Sequence, residues 1–176
     1  GDPMLFGRAD EEITALRMAG IPFEIVPGIT AALAGAASLQ KSLTLRGISR
    51  SVAFITQAQA SESMALGSPT ADPHADTLIY YMGRRDAAHI ARQLIEDKNH
   101  FTPKTPVHIL EAVSTAKERH WFGNLNELAK GEAADWFDSN SPALIMVGEA
   151  LLKVVDTNLE TVDQDQQLAC INARSN

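Results

Sequence analysis

Cys170 is the only cysteine in this 176-residue chain, so an internal disulfide is excluded. His and Cys do not cluster at metal-ligand spacing, which leaves no zinc signature and no metal candidate. No apolar run approaches the length of a membrane span, and no basic segment followed by an apolar core opens the chain as a secretory leader does. Positive charge is also scarce. Fifteen Lys and Arg face 22 Asp and Glu, and the net charge of -7 argues against a nucleic-acid-binding surface. Any anionic ligand must therefore be held by a few placed arginines. A cytoplasmic setting is the expectation. What remains is the profile of a globular protein, 45% hydrophobic and 21% charged, long enough for one domain or for one domain with part of another.

Residues 11–19 put Ile13, Leu16 and Gly20 on one face, and Gly20-Ile21-Pro22 is a stop signal, so a short amphipathic helix is predicted there. Residues 23–26 read as a strand and Pro27-Gly28 as a turn. Thr30 is placed to cap a helix over residues 31–39, whose Ala and Gly permit close packing. Further strands are predicted at residues 51–56, 76–82, 107–110, 119–122 and 143–147. Ala87, Ile90, Ala91, Leu94 and Ile95 fall on one stripe and mark the clearest helix, with another predicted over residues 126–137. Residues 57–76 form a polar stretch of the length at which loops are commonly functional. Beyond Val155 the pattern fades into a polar tail. Strands alternating with helices predict an α/β layered fold.

Five stretches, taken in order, carry a specific resemblance. They are Gly1-Asp2-Pro3-x-x-Phe6-Gly7-Arg8 with Glu11-Glu12, then Gly20-Ile21-Pro22-x-Glu24-x-Val26-Pro27-Gly28-Ile29-Thr30-Ala31, and Leu43-Thr44-x-Arg46-Gly47. Asp76-Thr77-Leu78-x-x-Tyr81-Met82-Gly83 and Ser141-Pro142-Ala143-Leu144-Ile145-x-Val147-Gly148-Glu149 complete the set. Each alone is weak, but the ordered set needs few gaps. The chain resembles the tetrapyrrole methylases, most closely their uroporphyrinogen-III C-methyltransferase branch.

The resemblance implies a two-domain α/β methylase fold: residues 1–48 ending the N-terminal domain, 49–155 forming the C-terminal domain and 156–176 a tail. It also implies a chain cut within a functional loop, with the first strand, a Gly/Pro-rich loop, an Asp and a Lys lying ahead of Gly1, and hence a piece inactive alone. The implied reaction is S-adenosylmethionine-dependent C-methylation of uroporphyrinogen III to precorrin-2, leaving S-adenosylhomocysteine. The substrate is a small tetrapyrrole and the complete protein a homodimer, with no nucleic acid and no membrane involved. A later precorrin methylase and a noncatalytic partner domain are the alternatives.

The resemblance assigns Gly1, Asp2, Leu5, Thr30, Ala31, Met82 and Val113 to the cofactor. It assigns Arg8, Arg46 and Met82 to the substrate, and Glu11, with Arg8, to catalysis. Physical chemistry gives each a rationale. A tight Gly-Asp turn offers backbone amides and one carboxylate. Thr30 and Ala31 stand at a helix N-terminus, where free N–H groups receive an anion. Gly83, beside Met82, leaves room for a flat adenine. Arginines answer the acetates and propionates of the tetrapyrrole rim. One departure stands out: the family's Glu-Asn-Gly-Thr turn is here Glu111-Ala112-Val113-Ser114, placing a branched side chain where glycine brings backbone close to adenine.

Overall fold

The computed structural model describes residues 1–56, 74–97 and 100–152. Most of the expected long loop and the expected tail lie outside these residues. Five strands form one mixed sheet: β1 (Val52–Thr56), β2 (Thr77–Tyr81), β3 (Pro106–Glu111), β4 (Arg119–Asn124) and β5 (Ala143–Val147), in the order β1-β2-β5-β3-β4. β1 and β2 run parallel, and every other neighbouring pair is antiparallel.

β2, β3 and β5 read as nearly continuous apolar runs because both sheet faces are covered. The strand period of two then sorts their side chains. Leu78, Tyr80, Val107, Ile109, Ile145 and Val147 share one core with Ile90, Ala91 and Leu94 of α3 (Ala87–Glu96) and with Leu125 and Leu128 of α4 (Leu125–Ala129). Ile79, Leu110, Leu144 and Met146 turn to the other face and meet Ala32 and Ala36 of α2 (Ala31–Ser38), together with Leu43 and Leu151. Gly35 sets how closely α2 approaches, since a Cβ there would stand 2.8 Å from Leu110 Cδ1. Asp76 joins β1 to β2 at their start, its Oδ2 accepting the N–H groups of Arg50 and Ser51 at 2.8 and 3.0 Å.

Two expectations are corrected. Residues 23–26 form no strand; the whole of residues 21–29 is exposed, and no strand among the described residues offers it a ladder. The helix expected over residues 126–137 stops at Ala129, after a start fixed by a reciprocal Asn124–Glu127 capping box. Gly131, at φ +83, turns the chain into the left-handed region, and only a short 3₁₀ turn, Ala134–Trp136, follows. The first helix, α1 (Ala9–Met18), starts slightly earlier than expected, with Asp10, Glu11 and Glu12 in its first turn, where the helix dipole favours negative charge. Among the described residues no helix is long and apolar enough to cross a membrane, and no His/Cys/Asp/Glu group could hold a metal.

His108 interrupts the apolar face of β3. It is buried, donating its Nε2–H to the Leu151 carbonyl at 2.8 Å, with Nδ1 facing His120 Nε2 at 2.7 Å. Burial is the main cause that pulls its pKa from 6.5 down to about 4. Below pH 6.5 the unfolded chain takes up a proton that the folded chain refuses. The stabilisation is therefore complete above pH 6.5 and is lost as the pH falls towards 4, by up to about 3 kcal/mol. Urea titrations of the wild type and His108→Gln from pH 4 to 7 check this: the variant should lack that part of the acid slope.

Candidate functional site

Three parts of the chain meet around Tyr81, the last residue of β2. Its hydroxyl accepts the Ala32 N–H at 3.0 Å and lies 2.5 Å from Thr30 Oγ1. Thr30 is the N-cap residue of α2, but its side chain makes no capping bond to the helix; the Tyr81 hydroxyl takes one of the free N–H groups instead. Phe6 meets the Tyr81 ring edge-on at 5.0 Å, and Phe54 of β1 does so at 6.3 Å. Tyr81 was not among the expected site residues, although it stands in the fourth matched stretch.

The backbone here departs from ordinary geometry. Phe6, Arg8, Met82, Ala112 and Ser114 all have φ between 50 and 65°, the left-handed region that side chains seldom occupy. Such positions gather at ligand sites. Met82 is one of these, at φ 57 and half exposed directly after β2.

Beside it opens a cavity of about 870 Å³, lined by Ala31, Tyr81, Met82 and Val113 together with Arg85, residues 139–142 and their neighbours. Its volume suits a drug-sized ligand, roughly 300–1,000 Å³. Ala31, Met82 and Val113, three of the residues expected at the cofactor, therefore share one wall system. Val113 reaches the cavity despite replacing a glycine of the family pattern, held between the left-handed Ala112 and Ser114.

The other expected residues lie elsewhere. Asp2 accepts the Met4 N–H at 2.8 Å and the Gly28 N–H at 2.9 Å, and these bonds hold its carboxyl below the usual range. Its carboxylate thus ties the first turn to Pro27-Gly28, just ahead of α2. The contact is close: a Cβ on Gly28 would fall 2.0 Å from the Gly1 carbonyl oxygen. Gly1, Asp2 and Leu5 form this turn and do not line the cavity.

Arg8 and Glu11 pair with each other, Nε donating to Oε1 at 2.8 Å and Nη2 to Oε2 at 2.6 Å, both exposed. The pairing holds the Glu11 carboxyl below its ordinary range and raises Arg8. Neither lines the cavity. Arg46 sits exposed in the turn closed by the Leu45–Ser49 bridge, also away from it.

Residues 1–129 match the family model described as Tetrapyrrole (Corrin/Porphyrin) Methylases. Siroheme synthase 2 of Pectobacterium atrosepticum is 39% identical over 152 residues, covering 86% of this chain and 31% of that protein. Uroporphyrinogen-III C-methyltransferase of Pseudomonas aeruginosa is 37% identical over 155 residues, covering 88% of this chain and 61% of that one. The crystal structure of uroporphyrin-III C-methyl transferase from Thermus thermophilus complexed with S-adenyl homocysteine superposes with a TM-score of 0.70 at 33% identity, covering 86% of this chain and 64% of that one. The chain thus spans about a third of the length of the siroheme synthase and less than two thirds of the other two. A family model that covers most of the sequence, joined to a mixed sheet that superposes on a solved member, establishes that the chain belongs to the tetrapyrrole methylase family.

Proposed function

We propose that the protein is a uroporphyrinogen-III C-methyltransferase, converting uroporphyrinogen III to precorrin-2 by two methyl transfers on the route to sirohaem or corrinoids. The observation that supports this most is the cavity that gathers Ala31, Met82 and Val113 at the N-terminus of α2. The residues present fit S-adenosylmethionine. Ala31, Met82, Val113 and Pro142 offer apolar surface for a flat base, Asn140 and Ser141 offer polar atoms, and Arg85 offers a cation. When bound, S-adenosylmethionine supplies an electrophilic methyl group and is left as S-adenosylhomocysteine.

The chain's own residues then divide the work. Ala31 leaves room beside the helix terminus, and Met82 stands where cofactor and substrate meet. The first turn, through Gly1, Asp2 and Leu5, is tied by Asp2 to Gly28 just ahead of α2 and approaches the cofactor from that side, with Thr30 fixed by Tyr81 behind it. Arg8 and Arg46 take carboxylates of the tetrapyrrole rim. Glu11, kept ionised by Arg8, is ready to accept the proton lost from the methylated carbon. A substrate carboxylate that engages Arg8 loosens this pair and makes Glu11 more basic. The division into residues 1–48, 49–155 and 156–176, a cytoplasmic homodimer and the inactivity of the 176-residue chain alone belong to the same reading.

Calorimetric titration of the full-length protein with S-adenosylmethionine and S-adenosylhomocysteine tests it. Both should bind, and Ala31→Leu, whose larger side chain takes space from the ligand at the cavity wall, should weaken both together by about tenfold or more. The melting temperature should change little. Unchanged affinities in a folded Ala31→Leu protein remove this cavity from the cofactor site.

A further inference from the structure

Glu111 ends β3 with its side chain fully buried, and a carboxylate survives in such a place only where charge and hydrogen bonds meet it. Both of its oxygens are engaged. Oε2 accepts from the Arg119 guanidinium at the start of β4, and Oε1 accepts the Asp138 N–H at 2.9 Å. Arg119 also donates to the Trp136 carbonyl at 2.8 Å and lies over the Trp136 ring, 4.7 Å from its centroid.

The segment held in this way has no helix or strand of its own across residues 138–142. Its backbone is instead fixed from several directions. Arg84 donates to the carbonyls of Asp138 and Ser141 at 2.6 and 3.1 Å, and the Ala112 N–H donates to the Pro142 carbonyl at 3.0 Å. Within the segment the Asp138 carboxylate accepts the Asn140 N–H at 3.0 Å and the Ser141 hydroxyl at 2.9 Å. The same residues supply Ser139, Asn140, Ser141 and Pro142 to the cavity, whereas Glu111 and Arg119 do not line it.

An ion pair with one fully buried member contributes little net stability compared with an apolar replacement, so its effect is better sought in the geometry that it fixes. We infer that Glu111 and Arg119 are positioning residues for the methyl-donor site: the pair locks residues 138–142 in place as a cavity wall and so sets the donor's affinity. This rests on the cofactor reading of the cavity given above. Arg119 is 46% exposed and regains water if its partner is lost, while the Asp138 N–H loses its ionised acceptor. The wall then relaxes without the sheet opening.

The test uses the full-length protein, with S-adenosylhomocysteine as the probe and calorimetry and melting temperature as readouts. Glu111→Gln and Arg119→Met should each weaken binding by about tenfold, and Arg119→Lys, which keeps a cation at Glu111, should restore most of the affinity. Leu94→Ala, on the core face of α3, serves as the control: it should lower the melting temperature but leave the affinity within about twofold. If Glu111→Gln does not fold, the Arg119→Met and Arg119→Lys pair decides. Affinity that stays at the wild-type value in the latch variants, or that falls equally in Leu94→Ala, overturns the inference while leaving the cofactor reading standing. A wild-type protein that does not bind the probe overturns the cofactor reading itself, and the latch with it.

Discussion

Glu11→Gln in the full-length protein should slow precorrin-2 formation by about a hundredfold or more while leaving tetrapyrrole affinity within a few-fold. Gln keeps the size of the side chain and one acceptor for Arg8, so the guanidinium remains near its present position. What is lost is the capacity to take a proton. Arg8 holds the Glu11 carboxyl below its ordinary range, so the carboxylate is ionised throughout neutral pH. The rate should therefore be flat there and fall only on the acid side, where Glu11 becomes protonated. Single-turnover rates and substrate affinities, measured side by side across pH, separate the two quantities. Wild-type turnover by the variant would reduce Glu11 to a carboxylate placed in a first helical turn for its dipole.

The second large effect concerns β5. Ile145 is fully buried, pairs with Tyr80 on one side and Ile109 on the other, and packs into the core beneath α3. Ile145→Ala should destabilise the fold by roughly 2–5 kcal/mol, since the atoms around it belong to three strands and cannot all collapse into the space. Ile55 in β1, only partly buried beside the same core, is the comparison: its truncation should cost well under half as much. Denaturant titrations should show midpoints shifted at constant slope. Equal losses at the two positions would mean that the deeper burial of Ile145 adds nothing to the cost of truncation.

The local signals in the sequence follow directly from burial. The apolar runs at β2, β3 and β5 and the stripe of α3 are consequences of burial, and burial leaves a period. The order of the strands leaves none, because the placement of β5 between β2 and β3 is decided by pairing partners distant in sequence. The same limit explains residues 23–26, whose composition suits a strand but which lack a partner. Around the cavity, the family resemblance marked Ala31, Met82 and Val113, and these come together in space. It did not mark Tyr81 or the Glu111 tie. Tyr81 meets Thr30 across 51 residues and Glu111 meets Asp138 across 27, spacings that follow from the fold and not from any local pattern. The failure of the helix after Ala129 had a visible cause in Gly131, masked by the apolar residues Ala133, Ala134, Trp136 and Phe137 that continue beyond it.

The position of β5 also bears on how the protein is made. β2 and β3 do not touch each other as neighbours; they are joined only through residues 143–147, which leave the ribosome after the other four strands. At about 5–20 residues per second, β4 is complete roughly 1–5 s before β5 is synthesised, and its exit from the tunnel comes later still. Once β4 has emerged, and for an interval of about that length, β2 and β3 have no strand between them and each leaves an apolar edge unpaired. A chain released before residue 143 would therefore carry both edges with no strand to join them.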